Sequence, residues 1–466
     1  MKYLWRFLFF SATFAALFGC TSTLETQVLQ SPKRQTTHFA GTYLPPHAIE
    51  ISLEEENFIA TLPDLSVNAS LQNCLIYAAL NAPKLEAAFH RWQAALMRIP
   101  QVSALSDPKL SFGYFLEEVQ TRTGPMEQQL SLQQSFPWWG LLEAKGDVAA
   151  EAAAKLWHAY EFERLALFEK ISYSWSSLVD LDAEINVVEE SFALLEEAER
   201  IALRSYEVQE TNHSKLIRLQ VELGILEDNL HKLRDLRLPR QAALNAMLAR
   251  PSNGLLTLPS KITLHSSTMK LEDAQRLLED NPTIAAMDAD IREQERSLDV
   301  ATLDAKPKWT VGLTYTNLGD PLDPTVPDAG DNPLMGMIGF SIPLNQDKYD
   351  AAKREAISKR LAAEATRETI LHELNANIAE AIYRRDDSLR RIELYETALL
   401  PRAEDALTAA LSAFSAGKNS ATELLDTQRT LLDLQRNLQR SYVSALNADA
   451  TISKIIGGGP TKDTDK

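Results

Sequence analysis

The hydrophobic pattern along this chain switches between two periods, and it does so twice. Leu110, Phe112, Tyr114 and Leu116 alternate with Ser111, Gly113, Phe115 and Glu117, and Leu130, Leu132 and Phe136 alternate with Gln129, Ser131, Gln133 and Ser135. A second pair of such stretches follows. Trp309, Val311, Leu313 and Tyr315 alternate with Thr310, Gly312, Thr314 and Thr316, while Leu334, Ile338, Phe340 and Ile342 alternate with Met335, Met337, Gly339 and Ser341. A period of two predicts four strands, each with an apolar face and a polar or small-residue face. At about ten residues, each has the length of a tilted strand crossing an outer membrane.

Between and around these strands the period is helical. From Trp138 to about Tyr206 there is no proline, and Ala, Glu, Leu and Lys dominate, which predicts one helix of roughly 68 residues reaching about 100 Å. Its counterpart, about Leu344 to Phe414, carries Leu371, Leu374, Ile378, Ile382, Leu389, Ile392 and Leu399 at three-to-four spacing and is expected to kink at Pro401. Shorter helices are expected over about Val67–Leu105, His213–Ala249, Met269–Ala305 and Ser420–Ile455, with a turn-rich segment at Arg250–Ser267. Apolar stripes of this length need neighbouring helices, as in a coiled coil.

The chain is an internal duplication with a period near 200 residues. Pro108-Lys109-Leu110-Ser111-Phe112-Gly113 matches Pro307-Lys308-Trp309-Thr310-Val311-Gly312 at an offset of 199, and Ser135-Phe136-Pro137 matches Ser341-Ile342-Pro343 at 206. Leu216, Gln220, Leu223, Leu226 and Leu230 match Leu424, Gln428, Leu431, Leu434 and Leu438 at 208, and Asn81-Ala82-Pro83 is echoed by Asn281-Pro282. The chain is expected to divide into residues 1–19, a signal; 20–67, an extended arm; 68–260, the first repeat; 261–456, the second; and 457–466, a disordered tail.

Four strands cannot close a barrel, and a lipid-facing sheet cannot keep open edges. Chains must therefore pool strands. Two chains give eight, a barrel filled by its own side chains; three give twelve, wide enough for a passage lined by Ser, Thr and Gln. A periplasmic coiled-coil scaffold or adaptor without a pore is the alternative, and it leaves the four strands without a use.

Composition narrows the function classes. The formal charge of −17, which becomes −19 without Lys2 and Arg6, repels phosphate backbones and disfavours nucleic acid as a partner. No HExxH, CxxC, P-loop or GxSxG string is present, so no enzyme, cofactor or metal is expected; Met335 and Met337 without Cys or His nearby make a weak metal motif. Lys2 and Arg6 precede an apolar stretch from Leu8 to Leu17, too short for a permanent span, and it ends in Leu17-Phe18-Gly19-Cys20. That ending resembles a bacterial lipobox, with Cys20 as the acylated lipid anchor; Cys74 is then expected to be a small buried residue.

The doubled helix–strand–strand–helix unit resembles the TolC-like outer membrane efflux proteins, over about residues 68 to 456. The resemblance rests most specifically on Phe414-Ser415-Ala416-Gly417-Lys418, on Glu423-Leu424-Leu425-Asp426-Thr427-Gln428, and on the Ser-Phe-Pro and Ser-Ile-Pro strand exits. It implies an α+β membrane protein: a homotrimer with a 12-stranded β-barrel and a periplasmic α-helical barrel. It further implies docking to a periplasmic adaptor (membrane fusion) protein and an inner-membrane pump, the resistance–nodulation–division type being one option. The lipobox adds likeness to the lipid-anchored branch. By resemblance, Gly417, Lys418 and Asn419 form the turn at the periplasmic tip. Asn419 stands where some relatives carry an Arg, and Gln209 stands in the first repeat where the second has Gly417. Glu423 and Asp426, three apart on one helix face, are the expected gate or constriction residues. The competing reading is a solvated acidic first turn. Trp138 and Trp139 are expected to be interfacial aromatics at a strand exit.

Overall fold

A computed structural model describes residues 62–207, 213–264, 269–325 and 327–458. The signal, Cys20, most of the arm, Gln209 and most of the tail lie outside the described residues. The elements follow in the order α1 Leu71–Asn81, α2 Pro83–Leu96, α3 Arg98–Ser103, β1 Lys109–Thr121, β2 Gly124–Phe136, α4 Leu141–Glu207 and α5 His213–Met247. Then come α6 Leu271–Arg276, a 3-10 turn Leu277–Asp280, α7 Pro282–Asp304, β3 Lys308–Leu318, β4 Leu334–Ser341 and α8 Gln346–Leu394. A π-helical turn Tyr395–Leu399, α9 Leu400–Ser415 and α10 Ala421–Ile455 complete the described residues. No helix among the described residues is long and apolar enough to cross a membrane.

The described residues fall into two compact units. One comprises 91–157 and 286–368, and the other 62–90, 158–285 and 369–458. The first contains the sheet, antiparallel in the order β1-β2-β3-β4. Its register sets Leu110, Leu132 and Leu313 in one row and Phe112, Leu130, Tyr315 and Leu334 in the next. On the opposite face Ser111, Ser131, Thr314 and Met335 share a row, with Thr314 Oγ1 donating to Ser131 Oγ at 3.1 Å. The burial is inverted relative to a water-soluble sheet: Leu313 is 48% exposed and Leu116 93%, whereas Thr314 is 4% exposed and Gly312 is buried. Beside the sheet, α4 and α7 are tied by ion pairs, Lys155 to Asp290 at 2.7 Å and Arg292 to Glu151 at 2.9 Å.

In the second unit the long helices bury their stripes against one another. Ile171, Leu178, Leu181 and Leu195 of α4 are fully buried, each stabilising the fold by about 1.5–3 kcal/mol relative to exposure. Ala274, Leu278, Ile378, Ile382, Ile452 and Ile455 form a further core where α6, α8 and α10 meet. Cys74 is buried in α1, as expected, and burial pushes its thiol up to about 12.

The prolines correct two helix expectations. The first helix is not continuous: Ala82 is extended at ψ 116° before Pro83, and Asn281 at ψ 129° before Pro282 breaks the second-repeat helix in the same way. The ring of a proline clashes with a helical conformation at the residue before it. At Pro401 the chain remains helical, and the five-residue π turn immediately ahead takes up the strain that the missing N–H and the ring impose. Pro239 sits inside α5 without ending it.

Candidate functional site

The Gly417 turn is built by its own backbone. α9 ends with Ala416 N donating to Ser412 O at 3.1 Å and Lys418 N to Ala413 O at 2.9 Å, and Gly417 adopts φ +72°. No atom lies within 4 Å of where its Cβ would be, so the glycine is required by the backbone angle and not by crowding. Lys418 and Asn419 complete the turn, and Ser420 caps α10, its Oγ accepting from Glu423 N at 3.2 Å.

Glu423 and Asp426 come together as expected, exposed on one face of α10. They rim a groove of about 470 Å³ between α9 and α10, floored by Ala403, Ala406, Thr427 and Thr430. Small and hydroxylated walls with two carboxylates can attract cations; no nucleophile or acid–base pair is assembled among its lining residues.

Four charged residues that the sequence reading did not single out surround this face. Lys215 Nζ donates to Asn419 O at 3.4 Å, and Arg218 Nη1 to Thr422 Oγ1 at 2.6 Å. Arg429 forms a two-point pair with Glu222 of α5, Nε to Oε1 at 3.1 Å and Nη2 to Oε2, while its Nη1 lies 3.9 Å from Asp426. The hydrogen bond to Glu222 raises the Arg429 pKa further above its already high value. A signal for two of the four was present. At the offset of 208 that aligns the leucines, Lys215 falls opposite Glu423 and Arg218 opposite Asp426, so the two repeats carry opposite charges at equivalent places.

At the strand exits, Trp138 and Trp139 join an aromatic cluster. Phe136 stacks on Trp309 at 4.7 Å between ring centres, Trp138 meets Trp139 edge-on at 5.3 Å, and Trp139 lies 5.9 Å from Trp309. Trp139 is 70% exposed despite these contacts.

Residues 274–458 match the family model described as outer membrane efflux protein. That stretch, about two fifths of the chain, is similar to this family. The cobalt-zinc-cadmium resistance protein CzcC of Cupriavidus metallidurans is 28% identical over 188 residues, 39% of this chain and 42% of the relative, so the matched stretch spans less than half of that protein's length. Among solved structures, the outer membrane protein VceC of Vibrio cholerae is similar at a TM-score of 0.70 and 19% identity, covering 84% of this chain and 97% of VceC. CusC, whose structures concern folding and transmembrane channel formation, is similar at a TM-score of 0.71 and 16% identity, over 88% of this chain and 96% of CusC. The fold of this chain, four strands with long helices, is that of the TolC-like outer membrane channels. Within the efflux-protein stretch lie the Gly417 turn, Glu423 and Asp426, together with β3 and β4.

Proposed function

We propose that this chain is one of three identical subunits of an outer-membrane export duct. The observation that carries the reading is the inverted sheet: rows of exposed Leu, Phe and Tyr on one face, and a closely hydrogen-bonded Ser, Thr and Gly face behind it. Water penalises such a face and lipid welcomes it. β1 and β4 have no outer neighbour among the described residues, and three copies would join these edges into twelve strands. The exposed Trp139 and its ring cluster suit the membrane–water boundary. The duct receives its cargo from a periplasmic adaptor and an inner-membrane pump, of which the resistance–nodulation–division type is one option. The relative named for cobalt–zinc–cadmium resistance makes divalent metal ions the first cargo to test.

In this reading Glu423 and Asp426 line the periplasmic constriction, and three chains supply six carboxylates that favour cations. Planar-bilayer recording tests it. Glu423→Gln with Asp426→Asn is expected to reduce cation preference, read as reversal potential in asymmetric salt, and to weaken block by multivalent cations. Glu117→Gln with Glu118→Gln on β1 is expected to change neither. Absence of any conductance would overturn the duct; unchanged selectivity in the tip variant would overturn the constriction alone. Cys20, at the end of the lipobox-like Leu17-Phe18-Gly19-Cys20, is the proposed acyl anchor. Cys20→Ala should abolish metabolic palmitate labelling, and a retained label would refute the assignment.

A further inference from the structure

We infer that Glu222, a residue of the first repeat with no place at the passage itself, sets the charge of the tip by holding Arg429 away from Asp426. The inference rests on the tip reading above and adds a positioning residue to it. Glu222 is 6% exposed, on the side of α5 that packs against α10, and it engages Arg429 through both carboxylate oxygens. Asp426 is only three residues from Arg429 on the same helix, the spacing at which an acid and a base pair directly. Yet its carboxylate stands 3.9 Å from Nη1, outside hydrogen-bond range, with its side chain 67% exposed. The guanidinium has two suitors, and the buried one takes it.

The geometry gives this outcome a physical cause. Glu222 would be an uncompensated buried charge without Arg429, at a cost that far exceeds anything exposed Asp426 gains by pairing in water. A planar guanidinium meets a carboxylate through two parallel N–H bonds, which fixes Arg429 in that orientation. Asp426 therefore keeps its negative charge towards the groove, beside Glu423. The duplication supports a dedicated arrangement: at the offset of 208, Val221 stands opposite Arg429 and Thr430 opposite Glu222, so neither partner is repeated in the other half. The pair is not a by-product of the shared repeat framework.

Removing the Glu222 charge frees Arg429 to turn to Asp426. Glu222→Gln is thus expected to abolish most of the contribution of Asp426 although it leaves both groove carboxylates in the chain. The predicted loss is about tenfold in block by a divalent cation such as Co²⁺ or Mg²⁺ added from the periplasmic side, with a fall in cation preference like that of Asp426→Asn. Glu222→Gln with Arg429→Gln removes the captor and the captive together, and block should return to within about twofold of the unmodified protein. Arg429→Gln alone should strengthen it. A purely structural role for the pair would lower the thermal midpoint in all three variants without ordering their selectivity in this way. If Glu222→Gln folds and assembles yet keeps the original reversal potential and block, Glu222 does not control the tip. If Asp426→Asn itself changes neither, the tip reading has failed, and that result is separate.

Discussion

Placing a lysine at Leu132 and at its neighbour Gln133 separates a lipid-facing sheet from a wet one. Leu132 lies on inner strand β2 between Leu110 and Leu313, 49% exposed, and Gln133 points to the other face opposite Gly312. In a water-soluble protein Leu132 is surface, and Leu132→Lys costs no more than about 0.5 kcal/mol. In a barrel it faces hydrocarbon near the middle of the strand, where a lysine costs about 2–4 kcal/mol. That is about a 30- to 900-fold shift per chain, and three chains multiply the cost to about 6–12 kcal/mol per barrel. Gln133→Lys lengthens a side chain already on the polar face and should be tolerated. The assay is refolding from urea into phosphatidylcholine vesicles, followed by protease protection, with native mass spectrometry of the extracted oligomer. Leu132→Lys should fail to insert at urea concentrations where Gln133→Lys and the unmodified chain give protected trimer. Equal insertion of both variants would show that the exposed leucine rows do not face lipid.

Two further predictions concern stability. Gly457 has φ +78°, and a Cβ there would sit 2.7 Å from the carbonyl oxygen of Asp280; Gly457→Ala should therefore destabilise by more than Gly417→Ala, which meets the φ penalty of about 1–2 kcal/mol in open space. Denaturant midpoints decide between them, and a larger loss at Gly417 would refute the close approach. Burial pushes the Asp180 carboxyl above the usual carboxylate range, Glu184 adds to the shift, and Arg240 and Arg440 oppose it. A raised folded pKa favours the folded state below the unfolded value, and that advantage is lost as pH rises through the folded pKa. Asp180→Asn should accordingly be more stable than the unmodified chain at pH 7, by a margin that shrinks towards pH 4; a margin that grew on acidification would reverse the sign of the argument.

What the sequence revealed and what it hid divide along physical lines. The four strands were legible because a sheet with unlike faces forces period two whatever the surroundings. The long helix α4 was legible because 67 residues run without a proline. The prolines were visible but their consequences were not. Pro83 and Pro282 stop a helix, Pro401 is preceded by a π turn, and Pro239 passes unbroken. Which outcome wins depends on whether neighbouring packing holds the displaced turn in place, and that information lies outside the local sequence. Glu423 and Asp426 were legible as a pair by their spacing of three. Glu222 and Arg429 were not, because they are separated by 207 residues and no local period connects them.

The duplication offers a sharper way to find such sites. Leu216 and Leu424, and likewise Leu223 and Leu431, are buried in both repeats, so packing forbids either copy to drift. Positions nearer the surface of the same helices carry less of that constraint, and there the copies part: half-buried Lys215 against exposed Glu423, and exposed Arg218 against exposed Asp426. A charge on an exposed helix face contributes little to stability, so stability alone gives no reason for the two copies to differ in sign. The basic tip residues of the first repeat instead bond to the turn and cap of the second, through Asn419 and Thr422, and leave the carboxylates outward. Where two copies of one framework agree, they report the fold; where they disagree in charge at matched positions, they mark the residues whose proposed role at the tip the reversal-potential measurements test.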